Sequence, residues 1–324
     1  MQGGVTLAPP GWRGGWSTPG CAGRMTPTAF LLAALATVLS AAFFVGGKVV
    51  LSRGRLGWPS LWAWTLLTTG VCGLIAWLAL GAPAVPWTWC LAAGLAGALA
   101  HICANLALAW GDATLLVPVS GAKPLVLLAL APLFSGQPLP TALIHASWLA
   151  TLGIALTGLA PRRIHHHARR PGISFLLMLV AMTLMALSDL CGNEAMARAA
   201  PGGKWAAMAG WNIALGILPL GWLLFRRPRD ARGPVLAACG LGVLFALFIV
   251  AIASAFAAAA AADPARAVAG VNVVVACRGV VAVLMVVALD RWLATGLEPI
   301  PRWVQAVRLA GAVLLAAAVA LAGR

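Results

Sequence analysis

The sequence predicts an all-α integral membrane protein of about ten transmembrane helices arranged as two inverted five-helix repeats. Three observations point there. Of 324 residues, 62% are hydrophobic and only 9% are charged, against about 25% charged in an ordinary soluble domain, so no soluble globule could cover so apolar a chain. The apolar residues gather into ten stretches of roughly 20, the length a helix rising about 1.5 Å per residue needs to cross a hydrocarbon core about 30 Å thick. A basic segment, PRRIHHHARRPG at 161–172, lies between the fifth and sixth stretches. With five spans in each half, the second half enters the membrane from the opposite face, which is the geometry of an inverted-topology repeat.

Along the chain, residues 1–27 are rich in Gly, Pro and Trp and lack helical periodicity. They read as a disordered N-terminal extension, with Met25 the expected start of translation. The first repeat, 28–160, holds spans at 28–51, 61–80, 87–110, 113–134 and 142–160. After the linker at 161–172, the second repeat, 173–324, holds spans at 173–196, 205–225, 234–262, 267–289 and 303–322. Turn formers mark the boundaries, as at Gly81 to Pro83, Gly111-Asp112, Pro171-Gly172 and Asp263-Pro264. Long apolar runs also set aside a β-barrel, whose strands would be short and alternating. The two repeats resemble each other locally: aligning Gly121-Ala122-Lys123-Pro124 with Ala276-Cys277-Arg278-Gly279 places a cation at the same point of each half.

The chain carries 22 Lys and Arg against 7 Asp and Glu. In a soluble protein that balance would suggest nucleic acid, but here the basic residues sit mostly in short loops beside apolar spans, where insertion topology and anionic lipid explain them. Loops on the face of the central linker hold 12 Lys and Arg and the other face holds 6, so the positive-inside bias places both termini outside the cytoplasm. The seven cysteines form an odd set without C-x-x-C spacing, and all but Cys21 lie in apolar stretches. They read as small helix-packing residues rather than as disulfides or a zinc site.

A charge at bilayer depth costs about 2.5–3.5 kcal/mol on insertion scales, so each needs a partner, a cavity or an escape to the interface. Lys123 and Arg278 lie ten and eleven residues into their expected spans, about 15 Å deep and too far in to snorkel out. They are candidates to line a central cavity and hold an anionic or hydrogen-bonding substrate group. The rival reading has each satisfied by backbone carbonyls or a buried acid. Asp189 is also deep and shares a helix face with Asn193 one turn on, which makes this pair a candidate cavity lining, counter-charge or proton site. His101 and Asn105 share a face of the third span in the same way, the alternative being a hydrogen bond that glues helices together. Lys48 and Glu194 fall near span ends and reach headgroups. The run His165 to His167, set among arginines, is expected to be a solvated loop rather than a metal site.

Signatures of catalysis are missing. Pro118-Val119-Ser120-Gly121 has Pro where a serine-hydrolase motif needs Gly, and neither H-E-x-x-H nor the phosphate-cradling Gly-x-x-x-x-Gly-Lys occurs. The expectation is a protein that is not an enzyme and uses no cofactor or metal.

The segment Leu106-Ala107-Leu108-Ala109-Trp110 running into Gly111-Asp112-Ala113-Thr114-Leu115-Leu116-Val117-Pro118-Val119 resembles the EamA-like branch of the drug/metabolite transporter superfamily. So do Pro124 to Phe134 (Pro-Leu-x-x-Leu-x-x-Ala-Pro-Leu-Phe) and Val271-Asn272-Val273 with Arg278-Gly279. The resemblance implies ten helices, a cavity lined by the first four helices of each half, and peripheral fifth and tenth helices used for homodimer pairing. It also implies cytoplasmic termini, against the charge count. Midplane cations in the fourth and ninth helices resemble the anion-binding positions of sugar-phosphate transporters, although Cys277-Arg278 stands where a Lys-Arg pair is usual. Residues and resemblance together lead to the expectation of a secondary-active transporter or exporter of a small polar, anionic metabolite. It would work by alternating access in a cell membrane, a bacterial inner membrane by expectation, with lipid and substrate as partners and no nucleic acid. The alternative is a non-transporting membrane protein, a lipid-handling or scaffold subunit, whose buried charges only fix helix register.

Overall fold

The computed structural model describes residues 25–53, 56–110, 123–135, 141–157, 171–200, 202–226, 232–261, 264–293 and 302–322. These residues form helices α1 (Pro27–Arg53), α2 (Trp58–Ala79), α3 (Trp87–Trp110), α4 (Lys123–Ser135), α5 (Thr141–Thr157), α6 (Pro171–Arg198), α7 (Lys204–Arg226), α8 (Arg232–Ala260), α9 (Pro264–Val275), α10 (Arg278–Leu293) and α11 (Arg302–Ala322). Among the described residues there is no strand. The N-terminal extension up to residue 24, the His165 to His167 run with most of the basic linker, and the Gly111 to Val119 motif lie outside them.

Among the described residues, six helices are long and apolar enough to cross a membrane: α1, α2, α3, α6, α7 and α8. Shorter apolar stretches occupy Thr141–Leu156, Ala267–Ala282 and Ala310–Ala322. The chain is an all-helical membrane protein.

Helix α1 sorts its residues by size rather than by polarity. In α1 the small residues Ala29, Ala33, Ala36 and Ser40 form one buried face, while Phe30, Leu31, Leu35 and Val38 are exposed. Both sets recur every three to four residues, the period of a helix face. Lipid is as apolar as leucine, so burying leucine gains little, and association relies on close backbone packing and hydrogen bonds. At the crossing of α2 with α7, a Cβ added to Gly70 would stand 2.8 Å from the Gly216 Cα. Hydroxyls tie helices elsewhere. Thr69 donates to the Gly242 carbonyl at 2.9 Å, joining α2 to α8, and Ser188 donates to the Ala93 carbonyl at 2.7 Å, joining α6 to α3.

The main packing partners are α3 with α6, α2 with α7, α5 with α11, and α1 with α8. In addition, α3 touches α7, α2 touches α8, α4 touches α6 and α9, and α1 touches both α9 and α10. A large core joins the inner faces of these helices, and a smaller cluster around Leu143, Ala150, Val273 and Leu315 joins α5, α9 and α11.

One expected element is corrected. The stretch 267–289, read as a single span, is two helices separated by a turn at Ala276-Cys277. There the Cys277 N–H donates to the Val274 carbonyl and the Val280 N–H to the Cys277 carbonyl, both at 3.0 Å. This i→i−3 spacing tightens the helix just before Gly279, a residue of poor helix propensity. Hydropathy is blind to such a break, since apart from Asn272, Arg278 and two glycines the stretch is apolar. Irregular backbone at membrane depth is tolerated where protein buries it or where it lines a cavity, and the next section shows the cavity.

Candidate functional site

The turn between α9 and α10 opens on a cavity whose polar lining is Ser40, His101, Lys123, Ser188, Asp189 and Arg278. Its apolar lining includes Phe44, Trp211, Phe245 and Phe248. The two cations reach it at similar depth: Lys123 is twelve residues from the end of α4, and Arg278 is fourteen from the start of α9. At 1.5 Å per residue each lies roughly 18–21 Å from its helix end, near the midplane. The cavity volume is about 40 Å³. Roughly 10–15 Å³ on such a measure houses one water, so the cavity has room for a few waters.

The charges divide unequally. Lys123, buried, donates from Nζ to Asp189 Oδ2 at 2.7 Å. The same oxygen accepts from Asn272 Nδ2 at 2.8 Å, and Asn272 also donates to the Val268 carbonyl of its own helix at 2.9 Å. A carboxylate on α6 is thus gripped by a cation from α4 and an amide from α9. Arg278, half-buried, makes no ion pair or hydrogen bond among the described residues; its guanidinium lies over the Phe44 ring, 5.2 Å from the centroid. With two cations and one acid, the described lining has one positive charge in excess.

His101 is buried among rings. The Phe43 and Phe245 centroids lie 5.9 and 4.7 Å from its own, both edge-on. It faces the cavity from α3, opposite the tilted ring pair Phe245 and Phe248. Trp211 closes another wall: its benzo edge fills the space a side chain on Gly192 would need, at 2.6 Å from an added Cβ. Its buried Nε1 has no hydrogen-bond partner.

Of the six candidate residues, four line the cavity and two do not. Asn193 is half-buried one turn beyond Asp189, past the level where Trp211 seals against Gly192. Asn105 donates to the His101 carbonyl at 2.8 Å, an i−4 bond within its own helix, so it neither lines the cavity nor bridges helices. Spacing of four residues keeps side chains on one face but moves them about 6 Å along the axis, which carries both amides out of so small a cavity. The Lys48 side chain lies outside the described residues. Glu194, expected at an interface, accepts from Arg198 Nε at 2.9 Å, and the Arg198 guanidinium lies 4.7 Å from the Trp89 ring centroid.

Asn272 is the polar contact that sequence reasoning left unassigned. The signal was present, since an amide within Val-Asn-Val-Val-Val needs a partner for the same reason as a charge. Among the described residues, no group of three or more His, Cys, Asp or Glu is placed to hold a metal ion, and the six described cysteines are free.

The sequence matches no family model and no curated protein. Solved structures do match, 27 chains in all. One, described only as a crystal structure of a protein, aligns over 91% of this chain and 96% of its own with a TM-score of 0.63 and 17% identity. At that identity the likeness is one of fold, extending over nearly the whole chain.

Proposed function

We propose that this chain is a secondary-active carrier of a small anion, working by alternating access around the Arg278 cavity. The observation that carries the reading is the Arg278 guanidinium at membrane depth, which makes no ion pair or hydrogen bond among the described residues. A buried charge needs a partner, and a substrate carboxylate or phosphate would supply one by charge-assisted, bidentate hydrogen bonding. The aromatic walls would contact the rest of the substrate.

We read the architecture as ten spans in two inverted five-helix repeats, with α9 and α10 together forming the ninth span. Exchanging spans one to five for six to ten turns the α1–α8 contact into α6–α3 and the α2–α8 contact into α7–α3. It leaves α2–α7 and α5–α11 on the axis, and all of these contacts occur. Such a pseudo-two-fold axis passes through the cavity and gives the two halves a site to rock around. The EamA-like drug/metabolite transporters are the family proposed, with a multi-pass place in a cell membrane, a bacterial inner membrane in our reading, and α5 and α11 as the homodimer face. No covalent chemistry is assigned.

The Lys123–Asp189 pair taken alone would favour the scaffold reading, because a closed ion pair can fix helix register and do nothing else. The two readings separate in proteoliposomes. Radiolabelled anion counterflow by the full-length chain, abolished by Arg278→Gln with unchanged expression and insertion, supports the carrier. Absence of counterflow for every carboxylate, phosphate and sulfate offered overturns it.

A further inference from the structure

We infer that Asp189 is a proton-coupling site: it takes up a proton when the cavity takes an anion, so that the two are carried together. This rests on the anion-carrier reading and adds its coupling ion.

The argument begins with charge. In the empty site Lys123 and Arg278 stand against Asp189, leaving one positive charge. An anion alone that took both cations would have to compete with the Asp189 carboxylate for Lys123, which is held at 2.7 Å. When a proton binds Asp189 Oδ1, the carboxylate becomes a neutral acid and its hold on Lys123 is weakened. The Lys123 ammonium, still charged, is then free to join Arg278 on the substrate. Asn272 keeps the acid in place, since its Nδ2–H goes on donating to Oδ2, the carbonyl oxygen of the neutral acid. The loaded site, with a monoanion, two cations and a neutral acid, carries the same single positive charge as the empty one. The site with a proton alone would carry two, and the site with an anion alone none. Empty and fully loaded forms therefore carry the same charge, whereas the proton-only form pays for a second unpaired buried charge, and the anion-only form, neutral overall, sets the anion and the Asp189 carboxylate in competition for Lys123. The cargo, one monoanion and one proton, is neutral overall.

Other titratable groups do not fill this role. Of the elements packed on α6, α3 presents His101, α4 presents Lys123, and α9 with α10 presents Asn272 and Arg278. From α7 and α8 only Trp211, Leu215 and the Phe245 to Ile252 side chains reach the cavity. On α6 itself, Glu194 is paired with Arg198 a turn and more away. Among the described residues His101 is the remaining competitor, and it packs against Phe43 and Phe245 rather than hydrogen-bonding Asp189.

The test is a binding titration of the purified full-length protein with trifluoroacetate, benzenesulfonate and methanesulfonate, monoanions that do not themselves titrate in the range used. It is run in weakly buffered solution with a pH dye between about pH 5 and pH 8. Linkage requires net proton uptake on anion binding and an affinity that rises as pH falls, by up to about tenfold per pH unit. Asp189→Asn should abolish both the uptake and the pH dependence, while His101→Gln, whatever its affinity, keeps the number of protons taken up per bound anion. Binding without proton uptake, or affinity independent of pH in the wild type, overturns the coupling alone. Loss of the pH dependence in His101→Gln but not in Asp189→Asn assigns the proton to His101 and overturns it too. Failure of all three anions to bind overturns the anion site and the coupling with it. Should Asp189→Asn not fold, the wild-type pH dependence and the His101→Gln result still decide.

Discussion

At the scale of single residues, the two midplane cations look equivalent in the sequence and are not equivalent in the fold. Removing an unpaired buried charge relieves a desolvation cost, whereas removing one partner of a buried pair strands the other, at a cost of about 3–5 kcal/mol. Arg278→Gln is therefore expected to express and melt like the wild type, or slightly above it, while losing anion binding. Lys123→Gln is expected to lower thermal stability by about that stranded-charge cost, because Asp189 keeps only Asn272. The double variant Lys123→Gln with Asp189→Asn should recover most of the loss. Thermal unfolding in detergent checks all three, and equal destabilisation by the double and single variants would show that the pair is not coupled. The depth of both cations was legible from their distance into apolar runs. Their different fates were not, since nothing in the spacing says that α6 brings Asp189 to Lys123 and leaves Arg278 over Phe44.

At the scale of elements, helix contacts are set by where small residues let backbones meet. The α5–α11 pair is held at Gly153, where an added Cβ would stand 2.8 Å from the Gly311 carbonyl oxygen and 2.9 Å from Leu315. Backbone cannot yield as a flexible side chain does, so Gly153→Leu should separate these helices and cost about 1–3 kcal/mol. The crossing of α2 with α7 at Gly70 and Gly216 lies on the proposed axis, and Gly70→Val should slow reorientation as well as destabilise. Counterflow rate measured beside melting temperature checks this: a fall in rate matched by Gly153→Leu would mean that the crossing has no special part in the motion. Most elements were readable from hydropathy and turn formers. The turn after α2 shows why: Gly81-Ala82-Pro83 ends the helix with Gly81 at φ 83° and Ala82 at φ 51°, a left-handed cap that the Gly-x-Pro pattern announces. The break at Ala276-Cys277 was not readable, because Ala and Cys carry no such punctuation.

At the scale of the whole molecule, Met25 is the first described residue that rests on the core, and its side chain would lie 3.3 Å from a Cβ on Gly270. Residues before it show no apolar periodicity. A version starting at Met25 is expected to keep the expression and melting temperature of the full chain, and a loss in either would show that the extension packs. Orientation follows from charge: the face carrying 12 loop Lys and Arg against 6 should be cytoplasmic, which puts both termini outside. A reporter fused after Arg324 that is active only in the cytoplasm would refute this and favour the orientation implied by resemblance.

Composition by itself determined the solvent of this protein. With so few charges and such long apolar runs, only helices in lipid satisfy every backbone donor and acceptor, and that constraint acts on each segment locally. The division into two halves around a basic linker, the depth of Lys123, Asp189 and Arg278, and the unusual character of a cation in an apolar run are likewise local facts. What the tertiary structure decided is which buried polar group meets which. Lys123 finds Asp189 66 residues away, and Asn272 finds the same oxygen from 83 residues away, while Asn193 and Asn105 miss the cavity by a single turn. Such pairings depend on helix rotation and offset, which in this chain are set by contacts between small residues on many helices at once. No window of sequence contains that information, and it is the pairing that leaves Arg278 as the open charge of the site.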